Sequence, residues 1–170
     1  IAVEIDPRTL TGEMVSALGA AGVTRASLGV QSLDVEVQRA VNRVQDFECI
    51  ARATETLRNA GISGLNFDLI YGLPRQTVAS CVDTALQCVA LRPERFAVFG
   101  YAHVPQFKKH QRKIDEATLA DGSGRMAQAD AIAGVLAGAG YRRIGFDHFA
   151  LPDDPLSRAR TNGRLRRNFQ

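Results

Sequence analysis

No stretch of the 170-residue chain reaches the 18 or so consecutive apolar residues of a membrane-spanning helix. No secretory leader is visible either. The chain starts at Ile1-Ala2-Val3, which reads as a strand under way, and it stops at Asn168-Phe169-Gln170 without a closing element. It is therefore expected to be an internal piece of a longer protein, so a missing leader says little. Cysteine is scarce: Cys49, Cys81 and Cys88 are odd in number, and no pair has metal-ligand spacing. Cys81 and Cys88 lie seven apart in a helical stretch among Val82, Leu86 and Val89, which reads as core packing. Scattered thiols of this kind point to a reducing compartment and a cytoplasmic location. A glycine-rich dinucleotide-binding turn is absent as well.

What charge there is lies unevenly. Residues 1–100 carry 9 basic and 11 acidic side chains, net −2, whereas residues 101–170 carry 12 and 7, net +5. Arg158, Arg160, Arg164, Arg166 and Arg167 all follow the last acid, Asp154. They read either as a solvated, frayed end or as one wall of a pocket for a polyanion. Nucleic acid is the poorer match, because no aromatic residue interleaves with these arginines before Phe169.

A repeat organises the rest. Leu18-Gly19-Ala20-Ala21-Gly22-Val23, Leu57-Arg58-Asn59-Ala60-Gly61-Ile62 and Leu136-Ala137-Gly138-Ala139-Gly140-Tyr141 each end an apolar-periodic run with Ala-Gly and a bulky strand former. Each marks a helix end handing over to a strand. Gly22 to Gly61 is 39 residues and Gly61 to Gly140 is 79, close to two such units, with Pro93 stopping the intermediate helix. The pattern predicts strands Ile1–Ile5, Thr24–Val30, Leu65–Tyr71, Arg95–Tyr101 and Tyr141–Phe146. It predicts helices near Leu10–Ala21, Phe47–Asn59, Val78–Leu91 and Arg125–Ala137. Alternation at this period implies a parallel sheet with right-handed crossovers, in an open doubly wound sheet or a closed barrel. Polar groups fall at or just past the apolar runs: Glu4, Gln31, Asp68, Ala102-His103 and Asp147-His148. In parallel β/α folds the C-terminal strand ends build the ligand site, although each residue alone also reads as a cap or loop group.

Several strings resemble one family. Leu28-Gly29-Val30-Gln31-Ser32, Gln38-Arg39-Ala40-Val41-Asn42-Arg43, Asn66-Phe67-Asp68-Leu69-Ile70-Tyr71-Gly72-Leu73-Pro74 and Tyr101-Ala102-His103-Val104-Pro105 are of this kind. His110-Gln111-Arg112-Lys113-Ile114 and Gly145-Phe146-Asp147-His148-Phe149-Ala150-Leu151-Pro152-Asp153-Asp154 are too. Taken in order along the chain, they are similar to the oxygen-independent coproporphyrinogen III oxidases, a branch of the radical S-adenosylmethionine superfamily. The resemblance implies a partial (β/α)6 barrel, TIM-like, with its N-terminal strands missing from this chain. Residues 1–150 would be the C-terminal part of that barrel, and residues 151–170 the start of a segment leading to a C-terminal domain.

It further implies a [4Fe-4S] cluster that cleaves S-adenosylmethionine to a 5′-deoxyadenosyl radical. That radical acts on two propionates of coproporphyrinogen III, which lose CO2 and become vinyl groups in protoporphyrinogen IX. The family's CxxxCxxC cluster loop has no match here and is expected upstream of Glu4, so this chain holds no metal ligand. By resemblance, Glu4, Gln31, Arg43, Asp68 and Ala102 match the family's nucleotide contacts. Chemically, Glu4, Gln31 and Asp68 suit ribose hydroxyls or an ammonium, and Arg43 suits a carboxylate through its planar fork. Ala102 offers backbone groups to adenine. His103 and His148 at expected strand ends are candidates to face substrate or are structural, and His110 belongs with the solvated face. Lys108, Lys109, Arg112 and Lys113 are placed to steer an anionic substrate. An external electron acceptor is expected, nucleic acid and membrane are not, and the catalytic residues are left unassigned. The first and third strings also occur in haem-chaperone-like relatives, whereas the fourth and the last two are more specific to the oxidases. A haem-chaperone-like relative, which Asp147–Asp154 argues against, and an inactive truncated relative are the alternatives.

Overall fold

The computed structural model of the chain describes residues 1–166, so Arg167 and Phe169 lie outside the described residues. In chain order the regular elements are β1 (Ala2–Ile5), α1 (Gly12–Ala20), β2 (Arg25–Gln31), α2 (Val35–Ala40), α3 (Phe47–Asn59) and β3 (Gly64–Tyr71). They continue as α4 (Val78–Ala90), β4 (Arg95–Gly100), α5 (Gly122–Gly138), β5 (Arg142–Ile144), β6 (His148–Ala150) and α6 (Pro155–Thr161). Short 3-10 turns add Pro7–Thr9, Lys109–Lys113 and Glu116–Thr118. The sheet order is β1-β2-β3-β4-β6-β5, and β1 to β4 run parallel. No helix among the described residues is long and apolar enough to cross a membrane.

Helix boundaries follow from their caps. Thr11, Asp34, Asp46, Thr77, Asp121 and Asp154 each accept from a first-turn amide through the side chain. Thr77 and Ser80 cap each other reciprocally, in a capping box. The repeated Ala-Gly closures sit where expected, with Gly22, Gly61 and Gly140 at φ 74°, 82° and 89°. After α4 the left-handed position is taken by Arg92 at φ 48°, one residue before Pro93. Arg58 covers the carbonyls freed there, donating to Leu91 O at 3.0 Å and Arg92 O at 2.6 Å.

One face of the sheet is apolar and helix-covered. Ala26, Leu28 and Val30 of β2 and Leu65, Phe67 and Leu69 of β3 are buried in a single core. Val15, Ile50, Leu57, Ala85, Ile132 and Leu136 join them from the helices. Each fully buried Leu, Ile or Phe here contributes roughly 1.5–3 kcal/mol. Cys81 and Cys88 belong to that core, next to Thr84 and Ala85, whereas Leu86 turns outward. The alternate positions of the same strands, Arg25, Ser27, Gly29 and Gln31 with Asn66, Asp68 and Ile70, face the other way and are only half-buried. Helices on one face and polar side chains on the other give part of a β/α barrel with its interior face open.

The last strand departs from expectation. Tyr141–Phe146 was expected to continue the parallel series, but Gly145 at φ 69° reverses the chain after only three strand residues. The returning β6 lies antiparallel to both β4 and β5. Polarity explains the outer place of β5, where Arg142 and Arg143 stay exposed and only Ile144 is buried. His148 therefore does not follow a parallel strand. It opens β6, opposite Ala97 in the middle of β4.

Candidate nucleotide site on the open sheet face

Register assembles the site in two rows. Glu4, Ser27, Asn66 and Arg95 are lateral neighbours across β1 to β4. Two residues further on, Gly29, Asp68, Ala97 and His148 form the next row on the same face. Between the rows three side chains close a triangle. Ser27 Oγ donates to Asp68 Oδ2 at 2.8 Å, Asn66 Nδ2 donates to Asp68 Oδ1 at 2.8 Å, and Asn66 Nδ2 also reaches Ser27 Oγ at 2.7 Å. Asn66 Oδ1 is buried with no hydrogen-bond partner. Burial pushes the Asp68 carboxyl above its usual range, the Ser27 and Asn66 bonds oppose that, Glu4 adds to it and His148 counters it. A cavity of about 270 Å³ opens over the half of this face nearer the strand starts, lined by Ala2, Glu4, Arg25, Ser27, Gly64, Asn66, Arg95 and His148 among others. Asp68, Gln31, Arg43 and Ala102 are not among its walls.

The end of β2 is shaped for close approach. A bulge separates Gly29 from Gln31, and Gln31 takes φ 66°, a left-handed conformation uncommon for a side-chain-bearing residue. A Cβ on Gly29 would stand 2.9 Å from Gln31 Nε2 and 3.1 Å from Arg43 Nη2. Arg43 donates to the Gly29 carbonyl at 3.0 Å and to Asp6 Oδ2 at 3.1 Å, while its Nε is buried without a partner. Gln45 Nε2 donates to the same Gly29 carbonyl at 3.1 Å. Asp6 also carries a salt bridge from Arg8 at 2.7 Å, which leads the effects holding its carboxyl at about 2.

Beyond β4, Gln111 clamps the loop: its Nε2 donates to Ala102 O at 2.9 Å, and its Oε1 accepts from Val104 N at 2.6 Å. His103 lies between the Tyr101 hydroxyl at 3.3 Å and Glu116 Oε1 at 3.1 Å, and His110 is exposed. The structure thus brings Glu4, Gln31 and Asp68 onto one face, sets Arg43 over the end of β2, and places Ala102 just past β4. Ser27, Asn66, Gln45 and Gln111 were not singled out from sequence. The alternation Asn66-Phe67-Asp68 inside an apolar strand was the available signal for the second of these. Arg158 and Arg160 donate to the carbonyls of Asp153 and Arg143.

Residues 1–88 match the profile of the Radical SAM superfamily, and the chain belongs to that superfamily. It is 62% identical to the oxygen-independent coproporphyrinogen III oxidase of Bradyrhizobium diazoefficiens over 170 residues, 100% of this chain and 38% of that protein. The protein of the same description from Paracoccus denitrificans is 44% identical over 168 residues, 99% of this chain and 37% of its own length. Among solved structures, the coproporphyrinogen III oxidase of Escherichia coli, a radical SAM enzyme, superposes with a TM-score of 0.94 at 42% identity, covering 99% of this chain and 39% of that one. Archaeal Elp3 from Methanocaldococcus infernus shares the fold alone, at a TM-score of 0.63 and 16% identity over 77% of this chain and 32% of its own. The chain spans about two fifths of the length of the curated oxidases it matches.

Proposed function

We propose that the complete protein containing this chain converts two propionates of coproporphyrinogen III to vinyl groups by oxidative decarboxylation, giving protoporphyrinogen IX. Identity of 62% along the whole chain to a protein named oxygen-independent coproporphyrinogen III oxidase carries the reading. S-adenosylmethionine together with a [4Fe-4S] cluster would supply one-electron abstraction of hydrogen from carbon. The sequence has three cysteines and none at the CxxxCxxC spacing, and the cluster would be ligated by residues outside this chain.

The open face fits the nucleotide. Its ammonium and ribose hydroxyls are donors, and Glu4, Asp68 and the unpartnered Asn66 Oδ1 are acceptors. Asp68 would bind ribose hydroxyls while Ser27 and Asn66 fix its orientation. Arg43 already donates to one carboxylate, that of Asp6, through Nη1, and would offer its remaining N–H donors to the nucleotide's carboxylate. Gln31 would contribute its amide, the missing Cβ of Gly29 leaving room for both side chains. Ala102 would present backbone groups to adenine. The substrate's remaining electrons would pass to an external acceptor in the cytoplasm. Residues 151–170 would lead on to a C-terminal domain.

The test uses the complete, cluster-loaded protein. Asp68→Ala and Arg43→Ala should each bind S-adenosylmethionine at least about tenfold more weakly, because a charge-assisted hydrogen bond is worth roughly 1.5–3 kcal/mol and about 1.4 kcal/mol is tenfold. Both should keep the cluster spectrum and lose protoporphyrinogen formation. Unchanged affinity in both variants removes the site, and no decarboxylation by the wild type removes the activity.

A further inference from the structure

Three segments at the mouth of the half-barrel meet around a second groove, of about 280 Å³. They are α2, the turn after β3, and the paired 3-10 turns Lys109–Lys113 and Glu116–Thr118, which follow β2, β3 and β4 respectively. The groove thus lies at the C-terminal ends of the strands, as do Gln31 and Ala102. Its apolar lining is Ala40, Pro74 and Ile114, and its cations are Arg39, Arg75 and Lys113.

The charges are arranged rather than scattered. Glu36 holds both arginines at once, Oε1 at 2.8 Å from Arg39 Nη1 and Oε2 at 3.4 Å from Arg75 Nη1. Each guanidinium has five N–H donors, so most remain available to a ligand. Lys113 has no ion pair among the described residues. Asp115, the other acid of the groove, accepts from the Ala117 amide at 3.1 Å through Oδ1, so three cations face two carboxylates there. Arg75 is pinned at φ 63°, its N–H donating to Thr118 O at 2.8 Å. A left-handed arginine held across two loops is a conformation that sheltered function tends to maintain.

An apolar floor edged by two guanidinium groups and an ammonium suits a flat pyrrole ring bearing short carboxylate arms, since guanidinium matches a carboxylate in a plane. We propose that this groove seats a propionate arm of the tetrapyrrole that does not react, with Arg39, Arg75 and Lys113 meeting its carboxylate and Ala40, Pro74 and Ile114 beneath the pyrrole edge. The assignment rests on the activity proposed above. It gives the protein a means of ordering one edge of its substrate at the mouth while the reacting arms face the nucleotide.

Coproporphyrin III, the stable oxidised tetracarboxylate, is the probe, titrated by fluorescence into the complete cluster-loaded protein, with its tetramethyl ester as the uncharged control. Arg75→Gln and Lys113→Gln should each weaken the tetracarboxylate roughly two- to fivefold and the double variant about tenfold, as exposed charge pairs do. Ester binding, S-adenosylmethionine affinity by calorimetry, and the behaviour of Arg142→Gln on the distant β5 should all stay as in the wild type. Should Arg75→Gln lower the melting temperature, Arg39→Gln replaces it in the same comparison. Unchanged tetracarboxylate affinity in the double variant, or equal weakening of acid and ester, overturns the groove while leaving the proposed activity standing. Absence of any tetracarboxylate binding by the wild type likewise overturns the groove, whereas the activity reading falls separately, on the absence of protoporphyrinogen formation by the wild type.

Discussion

Ser27 and Asp68, 41 residues apart in sequence, meet across neighbouring strands with Ser27 Oγ 2.8 Å from Asp68 Oδ2. Together with Asn66 they fix a carboxylate on the open face that burial pushes toward its neutral form. An acid whose folded pKa is raised holds its proton longer in the fold than in the unfolded chain. Its charge therefore costs stability as pH rises from 3.8 through the raised value. Asp68→Asn keeps the shape and removes that cost, so its melting temperature at neutral pH should equal or exceed the wild type's. S-adenosylmethionine affinity should nonetheless fall. A clear loss of melting temperature in Asp68→Asn at pH 7 would place the charge among the stabilising groups and contradict this account.

Asp6 shows the opposite linkage. Hydrogen bonding from Arg8 leads the effects that hold it at about 2 against an ordinary 3.8, with Arg43 adding to the depression. Its contribution to stability is thus fully present above the ordinary value and is lost as pH falls through about 2. Asp6→Asn should flatten the acid limb of melting temperature against pH between those values while leaving the neutral plateau lower. An unchanged acid limb would show the interaction to be too solvent-screened to register.

At Gly29 space is the limiting quantity. A methyl there would press on Gln31 Nε2 at 2.9 Å and on Arg43 Nη2 at 3.1 Å, both ends of flexible side chains. Gly29→Ala should cost a modest ~1 kcal/mol of stability, at the low end of overpacking, because those side chains swing away. The consequence should be functional: both displaced groups belong to the proposed nucleotide site, so affinity falls more than stability. Equal affinity in Gly29→Ala would show that the site tolerates their displacement.

How much of this was legible beforehand depends on what each feature reports. Strand-helix alternation and the Ala-Gly closures are local chemistry, and the positions of β1 to β4 and α3 to α5 follow them within a few residues. Strand direction is not local. Nothing in Tyr141–Phe146 distinguishes a parallel strand from one that turns back at Gly145, and that choice decides where His148 stands. Among site residues, Asp68 and Gln31 were visible as polar breaks at the ends of apolar runs. Gln111 was not, because its role is to hold the Ala102 carbonyl nine residues away. The partner of Arg43 was equally hidden, since Asp6 lies 37 residues earlier.

The cysteines give a test on the isolated chain. Cys81 and Cys88 are fully buried, and burial raises both thiols, Cys81 to about 12, so neither offers a thiolate near neutral pH. Cys49 alone is partly accessible. Anaerobic incubation of the chain with iron and sulfide should leave no stoichiometric iron and no visible charge-transfer absorption. A stable four-iron cluster would require the α4 core to open and would overturn the assignment of the ligands to residues outside the chain.

Asp154 tests what closes the far end of the half-barrel. It is 5% exposed, and its carboxylate accepts from Arg95 Nε with both oxygens at 2.9 Å. Arg95 Nη2 adds a contact of 2.8 Å, Arg25 Nη2 approaches to 3.7 Å, and Oδ1 also caps α6 through the Leu156 amide at 2.8 Å. One carboxylate therefore ties the starts of β2 and β4 to the first turn of α6. Removing it leaves Arg95 part-buried without its anion and α6 without its cap. Breaking a buried pair from one side typically costs about 3–5 kcal/mol, and losing a cap about 1 more. Since Arg25 and Arg95 keep some access to solvent, Asp154→Ala should fall toward the lower end, about 3 kcal/mol, and Asp154→Asn should recover the cap alone. Arg95→Met in the Asp154→Ala background should restore part of the loss by removing the stranded charge, a coupling that a double-mutant cycle on urea midpoints measures. Additive losses in that cycle would show that the two residues do not depend on each other, and that α6 is held by its own packing.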